Sequence, residues 1–415
     1  MVPNGWETHH LEDLATKISD GIHSTPKYAE KSPVFFVNGN NLKNGKIVIQ
    51  KTTKHVDEND AKKHRKDLND RTILMSINGT IGNLAYYGGE NVVLGKSASY
   101  INVSPSANVD FIYYVLSSAK TQAFFTSELT GSTIKNLSLK TIKLTKIDTP
   151  PLPEQRKIAK ILSTWDKAIS TTEKLIETSK QQKKALMQQL LTGKKRLMNP
   201  ETGKAFEGEW EEFRLSDLTT KITKGTTPST NGFQFQEGGI NFVKVESILK
   251  TGQFDVSKFA YIDEDCHLAF KRSQLEVGDI LFSIAGALGR TAIVTDSILP
   301  ANTNQALSIV RLKKNTICSV FILQYLNSSA IAATIKGLTA QAAQPNLSLK
   351  DVGNLPIRLP NVEEQQKIAS VLTAADKEIE VLEAKLAHFK QEKKALMQQL
   401  LTGKRRVKVD EEVAA

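Results

Sequence analysis

Two long stretches of the chain carry apolar residues at alternating four- and three-residue spacing. In the second, Ile368, Leu372, Ala375, Ile379, Leu382, Leu386, Phe389, Lys393, Leu396 and Leu400 keep that spacing without a break. The first runs through Ile158, Leu162, Trp165, Ile169, Thr172, Ile176, Ser179, Lys183, Leu186 and Leu190. Such a seam is the signature of a coiled coil. No proline or glycine interrupts Glu154 to Leu191, Pro153 suits a first turn, and Gly193 follows as a terminator. Asn361 and Gly403 supply the N-cap and the stop of the second copy. Each stretch predicts a helix of about 38 residues, roughly 57 Å long.

The residues before each helix read differently. Short β-rich runs such as KIVIQ, RTILMSI and SYINV alternate with Gly, Asn and Ser turns, and helical stretches are predicted near Asp57–Lys66 and Phe111–Phe125. This predicts a mixed α/β domain ahead of each helix.

The two halves are copies. KKALMQQLLTGK occurs at Lys183 and again at Lys393, an offset of 210, and EQRKIAKIL from Glu154 matches EQQKIASVL from Glu364 at the same offset. ILMSINGTIG from Ile73 mirrors ILFSIAGALG from Ile280, NLSLK appears at Asn136 and Asn346, and Trp6-Glu7 mirrors Trp210-Glu211. A period this long means a duplicated half-molecule rather than a solenoid. The stretches between the matched blocks diverge, as expected if the halves read different targets or simply drifted after duplication.

Each seam carries one lysine. A parallel pairing would set Lys183 against Lys393, burying like charges. Antiparallel pairing sets Lys183 against Ala375 and Lys393 against Trp165, where a cation–π contact is available, with Phe389 meeting Ile169 and Ile379 meeting Ser179. The antiparallel arrangement is therefore expected. Both copies also keep Lys184, Gln188, Gln189 and Lys394, Gln398, Gln399 on their outer faces. A common partner surface explains this, and so does recent duplication.

Composition narrows the partner. The 415 residues are 40% hydrophobic and 24% charged, ordinary for folded domains, but the net charge is +11. That excess favours a polyanion, either nucleic acid or an acidic membrane face. Cys266 and Cys318 are too few and too far apart for a disulfide framework or a cysteine zinc site, which fits a reducing cytoplasm. MVPNGWETHH lacks a secretory pattern, and no apolar run approaches about 18 residues.

Enzyme motifs fail one by one. Amino-methyltransferase chemistry needs an aromatic after its Pro-Pro, and Pro150-Pro151 is followed by Leu152. GENVVLGKS, from Gly89, has one residue too many between glycines for a phosphate loop, and the GTIG and GALG turns lack a cofactor-loop context. Glu383-Ala384-Lys385 lies on a predicted coiled-coil helix, and the histidines, His9-His10 and His267 beside Cys266 included, show no metal-ligand spacing.

Taken in order and duplicated, PLPEQRKIAKIL, QQKKALMQQLLTGK, their second copies and the openings GWETHHLEDLATKISDGIHSTP and GEWEEFRLSDLTTKITKGTTPS resemble the specificity subunits of type I restriction–modification systems. GDILFSIAGALGR from Gly278 is also similar to that family's domain interior, although the first copy has Arg71-Thr72 where the second has Gly278-Asp279. The resemblance implies a non-catalytic subunit with two target-recognition domains, each reading half of a bipartite site on double-stranded DNA. It implies no cofactor on this chain. Two methyltransferase subunits would hold S-adenosylmethionine, and recruitable motor–nuclease subunits would use ATP and Mg. The expected layout is a recognition domain at 1–150, a spacer helix at 151–193 and a linker at 194–208. A second domain at 209–358, a second helix at 359–403 and a basic-then-acidic tail at 404–415 follow. The rival is a coiled-coil adaptor that binds DNA without sequence preference.

Base reading draws on Arg, Lys, Asn, Gln and hydroxyl side chains on loops. Candidates are Lys27, Asn78, Thr80, Lys96, Ser132 and Lys135 in the first domain. The second offers Ser229, Arg290, Asn302, Asn304, Gln305, Gln341 and Gln344. Any one of them can also be an ordinary solvated loop residue. Lys62, Lys63, Arg65 and Lys66, with Lys271 and Arg272, are candidates for phosphate contact or for a plain exposed face. Lys184, Gln188, Gln189, Lys394, Gln398 and Gln399 are the candidates for binding the methyltransferase.

Overall fold

The computed structural model describes residues 2–131, 135–249, 251–313, 316–340 and 345–409. Two compact units emerge, one made of Met1–Glu173 with Ala384–Ala415, the other of Lys174–Glu383. Each long helix thus begins in one unit and ends in the other.

The first unit is built on a four-stranded antiparallel sheet in the order Ala15–Asp20, Ala98–Val103, Thr72–Ser76, Leu84–Tyr86. Every residue of Thr72–Ser76 and Ala98–Val103 is buried, the polar Thr72, Ser99 and Asn102 included, whose side chains are hydrogen-bonded. A second sheet, ordered Val92–Leu94, Phe35–Val37, His55–Val56, Tyr28–Ala29, pairs Val93 in parallel with Phe36. Of the KIVIQ run only Lys46–Ile47 is strand, whereas RTILMSI and SYINV become central strands. The predicted helix over Phe111–Phe125 is two helices, Val109–Ser117 and Ala119–Ser127. Ser118 sits extended between them, and its hydroxyl accepts from the Thr121 amide at 3.3 Å.

The second unit repeats the plan. Its sheet runs Thr219–Lys224, Leu307–Leu312, Ile280–Ser283, Thr291–Ile293, beside a three-stranded sheet Ala260–Ile262, Ile240–Val243, Ala301–Thr303 in which Phe242 pairs in parallel with Asn302. Helices Ser319–Leu326 and Ser329–Thr339 follow.

The long helices span Leu152–Leu190 and Val362–Leu400, 39 residues each. Asn361 caps the second by accepting from the Glu364 amide at 2.9 Å. Gly193 and Gly403 end the two helices at φ +69° and +66°, a conformation that costs glycine nothing. All twenty seam residues are buried or half-buried. Ile158 and Leu162 join the first unit's core with Leu400 and Leu401, and Ile368 and Leu372 join the second's with Leu190 and Leu191.

Within each unit the helix segments run antiparallel. Asp166 meets Lys393 at 2.6 Å and Glu173 meets Lys390 at 2.7 Å in the first; Lys183 meets Asp376 at 2.5 Å and Ser179 meets Glu378 at 3.2 Å in the second. The direction agrees with expectation, but the partners of the seam lysines do not. Each lysine reaches a carboxylate one residue beyond the expected Trp165 or Ala375, because a half-buried ammonium gains more from a counter-charge than from an indole face or a methyl group. The cation–π contact of Lys393 is with Tyr114, 5.2 Å from its ring centre, and Trp165 packs edge-on against Phe389 instead.

Conserved offsets recur through this framework. The Tyr114 hydroxyl donates to Asp166 at 2.7 Å, and Gln324 donates to Asp376 at 2.8 Å. Arg406 grips the buried Glu154, and Arg196 grips the buried Glu364, each through two bonds of 2.7–2.8 Å. Both arginines lie in segments expected to be a linker and a tail, and both are packed parts of a unit.

Candidate nucleic-acid interface

The same loops converge at one end of the core sheet in each unit. In the first, Gly21 leaves its strand and bonds Ala98, and Ile22 donates to Leu94 at 2.8 Å, so the segment after Gly21 lies beside the Gly95–Ser97 turn. A Cβ on Gly21 would sit 2.2 Å from the Leu94 carbonyl oxygen. The turn after Ile77 is fixed by the Ile77 amide on the Ser97 carbonyl (3.0 Å) and the Leu137 amide on the Ile77 carbonyl (2.9 Å). Gly79 and Gly82 adopt φ +71° and +82° there, so the GTIG motif is a chain reversal. Gly39 joins the group, its amide donating to Ser97 Oγ and its carbonyl accepting from Thr80 Oγ1.

The second unit repeats the backbone bonds of this crossing, though not the Gly39 contacts, since Ala306 stands in the place of Ser97. Thr226 donates to the Thr303 carbonyl, Ile284 to Ala306 and Leu347 to Ile284, and a Cβ on Gly225 would lie 1.9 Å from the Thr303 oxygen. Two chains can cross this closely only where one lacks a side chain.

This arrangement brings together Asn78, Thr80, Lys96 and Lys135, which are exposed apart from the half-buried Asn78. Asn78 pairs with Asn136 in an isolated bridge, which sets Lys135 beside it. In the second unit the cluster holds Ser229, Asn304, Gln305 and Arg272. Gln305 bonds the Thr227 hydroxyl, and Arg272 donates to Thr226 Oγ1 at 3.3 and 3.4 Å. Asn304 Oδ1 is buried and finds no hydrogen-bond partner among the described residues. A buried acceptor left so is destabilising by about 1–3 kcal/mol.

Three candidates fall elsewhere. Asn302 is fully buried, bonded to His267, to Ser273 Oγ at 2.9 Å and to the Phe270 carbonyl, and so supports the core instead of reading DNA. Arg290 is turned inward onto the Ile248 carbonyl at 3.0 Å. Lys27 adjoins the basic helix: its amide donates to Asp60 at 2.7 Å, and this bond holds the Asp60 carboxyl below its usual value. Ser132, Gln341 and Gln344 lie outside the described residues.

Lys62 and Lys63 are exposed on the helix Glu58–Lys63, with Arg65 exposed and Lys66 half-buried after it. Lys63 stands 3.6 Å from Asp60, so part of this charge is neutralised locally. Lys271 is exposed beside Arg272. Lys184, Gln188, Gln189, Lys394, Gln398 and Gln399 are all exposed, and Lys394 and Gln398 line a groove of about 660 Å³ with Lys120 and Lys146 in the first unit.

Sequence reasoning passed over Thr226, Thr227, Asn38, Ser97 and the carboxylates of the framework. For the latter a signal existed: Asp166-Lys167 and Asp376-Lys377, like Glu154 and Glu364, recur at the 210 offset. Among the described residues no three His, Cys, Asp or Glu side chains are grouped to hold a metal, and no helix is long and apolar enough to cross a membrane.

Comparison with known proteins agrees with the duplication. The type I restriction–modification DNA specificity domain model matches residues 3–181 and again 207–391. The putative type I restriction enzyme MjaX specificity subunit of Methanocaldococcus jannaschii is 28% identical, covering 98% of this chain and 95% of its own length. The EcoKI specificity subunit of Escherichia coli is 21% identical over 88% of this chain and 81% of its own. In fold, the S subunit of a type I system from M. genitalium superposes with a TM-score of 0.62 at 17% identity, covering 96% of this chain and 97% of that one. An assembly-only adaptor is not favoured by these matches. With two matched domain copies spanning most of its length, the chain belongs to the type I restriction–modification specificity-subunit family, whose members are non-catalytic DNA-recognition components.

Proposed function

We propose that each unit reads one half of a bipartite DNA site through the loop cluster at the end of its core sheet. In the first unit the reading residues are Asn78, Thr80, Lys96 and Lys135; in the second they are Ser229, Asn304 and Gln305. Lys62, Lys63, Arg65, Lys66, Lys271 and Arg272 contact phosphate, which positions the duplex without specifying its sequence. The carrying observation is that both units repeat the same backbone bonds and glycine close approach at the loop crossing while the side chains on those loops differ. One scaffold with two sets of side chains is what two unlike half-sites require.

The long helices, at 39 residues each, set the length of the unread spacer. The exposed Lys184, Gln188, Gln189, Lys394, Gln398 and Gln399 dock two methyltransferase subunits, which supply S-adenosylmethionine. Motor–nuclease subunits that join the complex supply ATP- and Mg-dependent steps. The setting is the cytoplasm. Genome-wide mapping of modified bases with and without this gene tests the reading. A bipartite motif that disappears with the gene is expected; an unchanged methylation pattern overturns it.

A further inference from the structure

Outside the loop cluster, each unit carries an exposed aromatic ring with a lysine over its face. In the first, Lys54 Nζ lies 4.4 Å from the centre of the Tyr28 ring, and Tyr28 packs edge-on against Phe36 at 5.8 Å and 71°. In the second, Lys244 Nζ lies 4.7 Å from the centre of Phe235, which packs edge-on against Phe242 at 5.3 Å and 69°. Phe36 and Phe242 hold the same place, each in the strand that runs parallel to the one before the loop crossing. The lysines come from different segments, ahead of His55–Val56 in one unit and directly after Ile240–Val243 in the other. The same geometry is therefore assembled from residues that do not correspond in sequence.

Both rings stay open to solvent, Tyr28 at 36% and Phe235 at 41%. Each ring leans on an aromatic residue of a core cluster with one face left open, and a lysine held over that face gives up rotamer freedom. In the first unit the surroundings are amide-rich: Asn38, Asn40 and Gln50 line a 240 Å³ hollow with Tyr28, Phe36 and Lys54. Amides match base-edge donors and acceptors, whereas a phosphate site gathers cations. The hollow also adjoins the loop cluster, since Asn38 Oδ1 accepts from Ser97 Oγ at 2.8 Å, next to Lys96. Lys244 takes the register position of Asn38 in the second unit.

We propose that the Lys54–Tyr28 and Lys244–Phe235 pairs are base-reading elements, each held by its ring so that the ammonium donates to a major-groove acceptor such as guanine O6 or N7. The proposal rests on the reading that each unit recognises one half-site, and it adds the residues that discriminate one position in each half.

The test uses the full chain expressed with its methyltransferase, with methylated motifs mapped for Lys54→Met and Lys244→Met. Lys54→Met is expected to relax one position in one half-site, lowering the preference there about tenfold, while the other half and the spacer stay unchanged. Lys244→Met should do the reciprocal, and Tyr28→Phe, which keeps the ring, should preserve the motif. The untouched half-site reports folding within the same molecule. An unaltered motif with weaker binding and a shallower salt dependence marks a phosphate contact and overturns the proposal. Loss of both half-sites by a single lysine variant marks a structural role and overturns it equally. Absence of any bipartite motif from the unaltered chain would refute the half-site reading itself, a separate result.

Discussion

Replacing Arg196 with methionine tests whether the charged clasps hold each unit together. Glu364 is fully buried, and both its oxygens are taken by Arg196 at 2.7 Å. Methionine keeps most of the stem but leaves a carboxylate enclosed without a counter-charge. Removing one partner of such a pair destabilises by about 3–5 kcal/mol. Because the Arg196 side chain is 22% exposed, the lower end, about 3 kcal/mol, is expected. The first unit supplies an internal comparison. There Arg406 is 45% exposed, and Glu154 keeps a second donor, the Trp6 indole at 3.3 Å, whereas the Trp210 indole nitrogen finds no partner among the described residues. Arg406→Met should therefore lose less than Arg196→Met. Hydrogen exchange resolved by peptide follows the two units separately, and about 3 kcal/mol corresponds to roughly a hundredfold faster exchange in the second unit's core strands. Adding Glu364→Gln to Arg196→Met should recover part of the loss by removing the stranded charge. Equal losses in the two units, or a double variant no better than the single, would refute the reasoning.

Other outcomes follow from the same geometry. Tyr113 is pushed up to about 12 by burial, and Tyr86 and Tyr114 are pushed up by burial first and by Asp110 and Asp166 after it. A raised phenol stabilises the fold below its unfolded value near pH 10 and loses that contribution as pH climbs through the folded values. The first unit should therefore loosen above about pH 10, with tyrosinate absorbance and exchange of its core strands rising together. Gly225→Ala should destabilise the second unit by about 1–3 kcal/mol and blur its half-site in the methylated motif. Gly238→Ala, where a Cβ meets nothing within 4 Å, should change neither. Inserting one helical turn into both long helices should lengthen the DNA spacer by about 1–2 base pairs, and an unchanged preferred site would remove the helices from spacer setting.

The sequence by itself determined the duplication, the two long helices and their antiparallel sense. Those features rest on periodicity and on like-charge avoidance, which are local or pairwise properties of the letters. Its strand runs RTILMSI and SYINV became the central strands because they are mostly apolar with few, hydrogen-bonded polar residues, which permits burial on both faces. Tertiary structure alone decided the rest. Asn302 and Asn304 sit two residues apart in one motif, yet the first is bonded into the core and the second lies at the loop crossing, half-buried. Side-chain type announces what a residue can bond, while its neighbours across the sheet decide what remains for it to bond. Likewise Lys393 chose Asp166 over Trp165, and Tyr28 met Lys54 from a distant segment, because such contacts depend on where separate strands and helices come to rest.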